Sequence, residues 1–226
     1  AWCRSCVAGR GKATPHHDLG GTLGREAAVP TISIDYCFMG KREATEAAEE
    51  QTVPILIVRD HVTRWIDSFV VPAKGAKEEY PVAALAHALE ASGYNSFILK
   101  SDGEPSIVDL KHAAVRRLRE KTGAKVQFEE APRATSQANG VIERTAWEVE
   151  GLTRTLVHQL SEVHGTRPPP GHPAAVWAAR YAGQTLSRMQ RAAADGRTAY
   201  ERRKGKAYKR ELPPFGEAVL FMTTKD

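Results

Sequence analysis

The sequence predicts an α/β fold in which a mixed five-stranded sheet is flanked by helices. Three apolar, β-branched segments follow one another early in the chain, which is typical of antiparallel strands joined as a meander. Further along, apolar strands alternate with segments whose hydrophobic residues recur every three or four positions. That alternation is typical of helices packed against a sheet.

The elements are assigned in chain order from these patterns. Strands are predicted at 30–38, 53–59 and 65–71, and a helix at 78–92 ends before Gly93. A strand at 97–100, a helix at 106–121 and a short strand at 126–128 follow. A long helix comes next, then a Pro-rich break at 164–172, a helix at 174–189 and a last strand at 215–222.

The long helix is predicted to begin in a segment with loop character. Gln137, Asn139 and Gly140 favour a loop, and Asn139 is a candidate N-cap. Glu143 then falls in the first helical turn, where the helix dipole favours a carboxylate. An amphipathic helix with a solvated glutamate explains the same pattern. The apolar stripe of this helix comprises Ile142, Ala146, Val149, Leu152, Leu156 and Leu160.

Two more carboxylates are associated with apolar strands. Asp35 lies within the first strand, and Asp102 follows the strand at 97–100. If both converge with Glu143, their desolvation and mutual repulsion require a cation or a proton. Oxygen ligands in that number suit Mg²⁺ or Mn²⁺. The three residues are therefore predicted to form a metal site.

Other potential metal ligands are less clearly grouped. Asp60, His61 and Asp67 are interpreted as turn and solvent-face residues. Cys3 and Cys6 form a CxxC, which is half of a tetrahedral zinc site. His16 and His17 follow this pair, but their spacing matches no established zinc site. We expect an incomplete zinc module that is cut by the start of the sequence; two unligated thiols are the alternative.

Composition and charge limit the function classes. Of the 226 residues, 42% are hydrophobic and 26% charged, which is enough to build a folded core. No apolar run approaches membrane-spanning length, and three cysteines do not make a disulfide framework. Residues 164–226 carry 12 Lys and Arg against 5 Asp and Glu. This basic third favours a polyanionic partner, although a solubilising surface also explains it.

Three acidic segments resemble one family. The segments ISID, LKSDGEPS and SQANGVIERTAWEV resemble the integrase catalytic core of copia-like LTR retrotransposons, a retroviral-type integrase of the ribonuclease H-like superfamily. The resemblance implies a ribonuclease H-like sheet and catalytic roles for Asp35, Asp102 and Glu143. Pro105 and Ser106 depart from the family pattern after Asp102, which leaves the geometry of that loop open.

The resemblance also implies a reaction and its partners. Two Mg²⁺ or Mn²⁺ ions on the three carboxylates would support 3′-end processing and then strand transfer into target DNA. We expect double-stranded DNA as partner, a homo-oligomer, and action in the nucleus with a cytoplasmic particle stage. The residues expected to contact DNA are Gln137, Asn139 and Arg144 beside the site, and Arg202, Arg203 and Lys204 in the basic segment.

Three parts of the chain follow from this interpretation. Residues 1–24 are predicted to be a partial zinc module and linker, 25–193 the catalytic core, and 194–226 a basic C-terminal extension. Other classes of protein remain open. A ribonuclease H-like nuclease without strand transfer would share the acidic site, and an inactive nucleic-acid-binding remnant would keep the fold. A zinc-dependent adaptor rests on the CxxC alone.

Overall fold

A computed structural model of the protein describes residues 29–39, 52–130 and 136–217, and for 136–139 the backbone alone. The predicted zinc module with Cys3 and Cys6 lies outside these ranges. Within them, no helix is both long and apolar enough to cross a lipid bilayer.

One mixed sheet of five strands forms the centre of the fold, as predicted. Its order is β3-β2-β1-β4-β5. The first three strands form an antiparallel meander, whereas β4 pairs in parallel with β1 and β5 in parallel with β4. The strands are β1 (Thr31–Met39), β2 (Val53–Asp60), β3 (Ile66–Val70), β4 (Ser96–Ser101) and β5 (Lys125–Glu130).

Five helices flank this sheet in the described part of the chain. Gly93 and Gly123 end the first two helices in left-handed conformations, with φ of 77° and 70°. Such conformations favour glycine because it has no Cβ. The helices are α1 (Glu79–Ser92), α2 (Pro105–Thr122), α3 (Ser136–His164), α4 (Pro173–Met189) and α5 (Ala199–Lys204).

Both faces of the sheet are apolar, because helices cover each of them. Alternate residues of a strand point to opposite faces. Ile34 and Tyr36 on β1 therefore pack with α1 and α2. Cys37, on the other face, packs with α3 and α4 through residues such as Ile142 and Ala178.

The predicted start of the long helix is wrong. α3 begins at Ser136, so the residues from Gln137 to Gly140 are helical and Asn139 is not an N-cap. Glu143 lies about two turns into the helix, beyond the first turn in which the dipole acts. Asn or Gly inside a helix costs only about 1 kcal/mol or less relative to Ala, which the packing of a 29-residue amphipathic helix outweighs.

Two smaller expectations are also corrected. Asp60 is buried rather than on a solvent face. Its carboxylate accepts hydrogen bonds from the Thr63 hydroxyl at 2.5 Å and the Tyr94 hydroxyl at 3.0 Å, which compensate for the loss of water. Residues 215–217 form a turn rather than a strand, and Phe215 packs against Trp177. The preceding prolines, which lack an N–H for a sheet, favour this outcome; residues 218–222 lie outside the described ranges.

Candidate active site

The parallel pairing of β1 and β4 places Asp35 beside Asp102. Ser33 on β1 is level with Lys100 on β4, and this is the last pair in their register. Asp35 and Asp102 each lie two residues further along. β4 ends at Ser101, so Asp102 occupies the first position beyond the strand. The two aspartates therefore lie side by side, Asp35 on β1 and Asp102 just beyond β4, at the end of the sheet where β4 terminates.

α3 brings Glu143 to the same face of the sheet. Ile142 and Ala146 are buried in the cluster that contains Cys37, whose side chain shares a face of β1 with Asp35. Glu150 raises the pKa of the Cys37 thiol, and Glu143, two turns earlier on the helix, raises the pKa of Asp35, so this segment of α3 runs beside β1. Glu143 itself is exposed.

The pKa of Asp35 reflects its burial and its acidic neighbours. The pKa of Asp35 is raised to about 6, chiefly because burial disfavours its charged form. The Tyr36 backbone N–H, 2.7 Å from Oδ1 of Asp35, lowers the pKa in part. Repulsion from Asp102, Glu143 and Glu104 raises it further. Asp35 thus carries a charge that the folded chain alone does not compensate.

The residues after Asp102 form a helix start rather than a loop. Pro105 is the first residue of α2, where its missing N–H costs no hydrogen bond. Oδ1 of Asp102 accepts the backbone N–H of Glu104 at 3.2 Å. The Ser106 hydroxyl donates to Glu104 at 2.7 Å. The departure from the family pattern at Pro105 and Ser106 therefore does not displace Asp102 from the end of β4.

Glu104, which also raises the pKa of Asp35, is paired with a lysine that the sequence did not single out. Both of its carboxylate oxygens lie 2.8 Å from Nζ of Lys74, and this contact lowers the pKa of Glu104. The ammonium also lies 5.4 Å from the Tyr36 ring centroid and 5.0 Å from that of Phe38. No local pattern links residues 30 positions apart.

A buried lysine lies on the other side of Asp102. Lys111 on α2 is fully buried, and its Nζ has no hydrogen-bond partner among the described residues. It lies 3.9 Å from Glu130 and 5.5 Å from the Phe128 ring centroid. Burial lowers the pKa of Lys111, whereas Glu130 and Asp102 raise it. The site thus has a cation behind one of its aspartates.

The residues predicted to contact DNA fall into two separate groups. Gln137 and Asn139 lie on the first turns of α3, the helix that carries Glu143, but their side chains are outside the described part. Arg144 is exposed and forms an ion pair with Glu148 at 3.3 Å. These three positions belong to the helix segment around the acidic site.

The basic group on α5 lies elsewhere. Arg202 forms an ion pair with Asp195 at 2.6 Å. The Arg203 guanidinium lies 4.4 Å from the Trp65 ring centroid and donates to the carbonyl of Ala91. Lys204 is exposed. Trp65 precedes β3 and Ala91 ends α1, so α5 sits at the end of the sheet where β4 begins, not where Asp102 lies.

The chemistry of the acidic group fits a divalent cation. The charged side chains with the largest effects on the pKa of Asp35 are the carboxylates of Asp102, Glu143 and Glu104. Oxygen donors of this kind suit Mg²⁺ or Mn²⁺. Across the described ranges, no three His, Cys, Asp or Glu side chains are already arranged around one point as a metal would require. Binding would therefore require the exposed Glu143 side chain, and its neighbours, to turn inward.

Comparisons with known proteins support the fold. No family model and no curated protein matches the chain. A chain from the simian T-cell lymphotropic virus intasome, in complex with the PP2A regulatory subunit B56 gamma, is 17% identical with a TM-score of 0.55. That match covers 99% of this chain and 69% of the viral one.

Two structures of the HTLV-2 integrase catalytic core domain in complex with magnesium also match. The trimeric form is 12% identical, with a TM-score of 0.49. The match covers 76% of this chain and 95% of the HTLV-2 chain. The dimeric form is 13% identical, covers 75% and 92%, and has a TM-score of 0.46.

The sheet order and the helices on both faces define a ribonuclease H-like α/β fold. The chain shares this fold with a chain of the simian T-cell lymphotropic virus intasome. The fold implied by the three acidic segments is therefore confirmed.

Proposed function

We propose that the chain is the catalytic core of an LTR-retrotransposon integrase, a metal-dependent polynucleotidyl transferase. It would process the 3′ ends of element DNA and join them to target DNA. One observation supports the proposal: Asp35 lies beside Asp102 at one end of the sheet, and both Asp102 and Glu143, which come from distant segments, raise the pKa of Asp35. The copia-like origin rests on the sequence resemblance.

The three carboxylates would hold two Mg²⁺ or Mn²⁺ ions. Bound there, the ions supply Lewis-acid chemistry that activates a hydroxyl nucleophile and stabilises the leaving oxygen of a phosphodiester. Asp35 gains most from a cation because its charged form is desolvated and faces other carboxylates. Glu104 is excluded as a ligand because Lys74 engages both of its oxygens.

The protein's own contribution is to position these groups. The backbone N–H of Glu104 holds one oxygen of Asp102 and leaves the other free to bind a cation. Glu143 stands on a helix whose buried stripe is packed on the sheet, so its backbone position is defined. Arg144, Gln137 and Asn139 are proposed to contact the DNA that enters beside this helix.

Partners and location follow from the same proposal. Element and target DNA are the proposed substrates, and a homo-oligomer is the proposed working form. The similar viral chain is part of an intasome, which is a multi-component assembly. Integration requires access to chromosomal DNA, so the proposed site of action is the nucleus, after a cytoplasmic particle stage.

The test is cleavage and joining of a labelled duplex that mimics an element end, with and without Mg²⁺ or Mn²⁺. We expect metal-dependent joining by the wild type and a loss of at least 100-fold in Glu143→Gln, which removes one ligand charge at nearly constant shape. Glu162→Gln is the matched control, because Glu162 is an exposed glutamate near the far end of the same helix. It should join DNA as the wild type does.

Two outcomes would contradict the proposal. Metal-dependent cleavage without joining, with a preference for RNA–DNA hybrids, would identify a ribonuclease H-like nuclease. DNA binding without metal-dependent chemistry, in this chain and in a longer one, would identify an inactive remnant.

A further inference from the structure

The loop between β3 and α1 lies against the strand that carries Asp35. Two residues of this loop contact Tyr36, the residue that follows Asp35. Nζ of Lys74 lies 5.4 Å from the Tyr36 ring centroid, and the backbone N–H of Gly75 donates to the Tyr36 hydroxyl at 3.1 Å. Tyr36 packs on the α1 and α2 side of the sheet, whereas successive residues of a strand point to opposite faces. The loop therefore approaches Asp35 from behind.

The same loop also contacts the start of α2. Nζ of Lys74 lies 2.8 Å from both carboxylate oxygens of Glu104. A Cβ on Gly75 would lie 3.6 Å from the carbonyl oxygen of Ser106, so the two backbones are in van der Waals range. Gly75 has a φ of 94°, a conformation that favours glycine. The loop thus joins β1 to the segment that follows Asp102.

The residues that the loop contacts are those that hold the two aspartates. The backbone N–H of Tyr36 lies 2.7 Å from Oδ1 of Asp35, and that of Glu104 lies 3.2 Å from Oδ1 of Asp102. Partners of this kind orient the ligands of a metal, and their loss weakens metal binding. One loop therefore contacts the hydrogen-bond donors of both carboxylates.

Lys74 and Glu104 are confined by further contacts. The Lys74 ammonium lies 5.0 Å from the Phe38 ring centroid as well as beside Tyr36, and the Ser106 hydroxyl donates to Glu104 at 2.7 Å. An ion pair between two mobile surface side chains contributes little to stability. Here both side chains are about one-third exposed and have additional partners, so their pairing can fix the distance between β1 and α2.

We propose that Lys74 and Gly75 form a brace that sets the separation of Asp35 and Asp102, which makes Lys74 a positioning residue for the metal site. Lys74 acts on Asp102 through Glu104, and the loop acts on Asp35 through Tyr36. The brace matters because two carboxylates on separate elements share a cation only when their spacing matches it closely. The inference rests on the proposed function in that the metal is the one proposed there.

A simpler account, in which Lys74 and Glu104 are only two charges near the site, makes a different prediction. In that account, loss of the positive charge of Lys74 strengthens cation binding, and loss of the negative charge of Glu104 weakens it. The brace predicts that both substitutions weaken binding, because each breaks the same pair. It also predicts that the double substitution costs no more than either single one, since the pair can be broken only once.

The experiment measures Mn²⁺ binding to the chain without DNA, from the electron paramagnetic resonance signal of free Mn²⁺. We expect the Kd for Mn²⁺ to be about 10-fold higher in K74Q, in E104Q and in K74Q/E104Q than in the wild type. K121Q, E90Q and K121Q/E90Q are the matched controls, because Lys121 and Glu90 form a 2.7 Å ion pair between the far ends of α1 and α2. The controls should bind Mn²⁺ as the wild type does.

A second measurement needs no metal. We expect amide hydrogen exchange of Glu104, followed in EDTA, to be about 10-fold faster in K74Q, because the N–H is no longer held against Asp102. Thermal unfolding of K74Q should resemble that of the wild type, since the pair is partly exposed. Tyr36→Phe removes the hydroxyl that accepts from Gly75, and it should also raise the Kd for Mn²⁺.

The results separate this proposal from the catalytic one. Tighter Mn²⁺ binding by K74Q, or effects of K74Q and E104Q that cancel in the double variant, would overturn the brace. Unchanged exchange of the Glu104 amide in K74Q would also overturn it, whether or not the wild type binds Mn²⁺. A wild type that joins no DNA, while the variants show the expected Mn²⁺ affinities, would contradict the proposed function and support the brace.

Discussion

Asp35 has the most costly position of the three carboxylates. It lies on β1, the central strand of the sheet, where burial raises its pKa to about 6 and nearby carboxylates add to the shift. At neutral pH the folded chain therefore holds an ionised group that its surroundings disfavour. A divalent ion at the site would offset this cost, since its charge favours the ionised form of Asp35 and reduces the repulsion from nearby carboxylates.

The cost predicts how stability depends on pH. Because the folded pKa exceeds the ordinary value of 3.8, the folded state binds more protons between about pH 4 and 6, and stability falls as pH rises through that window. Asp35→Asn removes the penalty. We expect it to raise the free energy of unfolding at pH 7, without metal, by up to about 3 kcal/mol, and by little at pH 4.

Urea denaturation at both pH values checks this prediction. Asp109→Asn is the control, because Asp109 is an exposed aspartate on α2, and it should alter stability little at either pH. Added Mg²⁺ should stabilise the wild type more than Asp35→Asn. A substitution at Asp35 that destabilises the chain equally at pH 4 and pH 7 would show that the carboxylate is structurally required rather than strained.

At the scale of elements, a close approach between α4 and β3 fixes the position of α4 on the sheet. Gly183 lies against Ser68, and a Cβ at that position would overlap the serine hydroxyl. That hydroxyl donates to the carbonyl of Ala179 at 2.7 Å. One turn beyond Gly183, the Ser187 hydroxyl accepts from the backbone N–H of Ile66 at 2.8 Å. The helix is thus attached to an edge strand through two serines and a glycine.

Gly183→Ala tests this contact. We expect it to destabilise the fold by about 1 to 3 kcal/mol, because the added methyl group forces the helix away from Ser68. Gly140→Ala is the matched control in another helix. A Cβ there meets nothing within 4 Å, so the change should stabilise the fold by up to about 1 kcal/mol through helix propensity. Thermal unfolding of both variants is the measurement, and equal effects would contradict the packing.

Elements were largely predictable from the sequence, whereas several contacts between them were not. The strands around Ile34, Ile57 and Leu99 and the amphipathic helices have periodic apolar patterns that local physics decides. The start of α3 was missed because Asn139 and Gly140 favour loops only weakly, and tertiary packing overrode them.

Within the site, the carboxylates were identified by their segments, but their surroundings were not. The pairing of Lys74 with Glu104 joins residues 30 positions apart, and the burial of Lys111 follows from how α2 meets β5. Neither leaves a pattern in neighbouring residues. The stacking of Arg203 on Trp65 is similarly long-range. The contact of Arg203 with DNA stays a prediction.

For the whole molecule, acidic and basic groups are separated along the sheet. The carboxylates lie where β4 ends, and the exposed basic residues lie near its beginning and along α4. The first 163 residues carry 20 Lys and Arg against 22 Asp and Glu, whereas the rest carry 12 against 5. This arrangement places negative charge at one end of the sheet and positive charge at the other.

The most direct test of the account is a crystal of the protein soaked in Mn²⁺, with anomalous scattering used to locate the ion. We predict an anomalous peak within about 2.5 Å of carboxylate oxygens of both Asp35 and Asp102, with Glu143 turned toward it. The peak should be absent in crystals of Asp35→Asn. A well-ordered wild-type crystal in which Mn²⁺ binds elsewhere, and not between these carboxylates, would contradict the claim that they form one metal site.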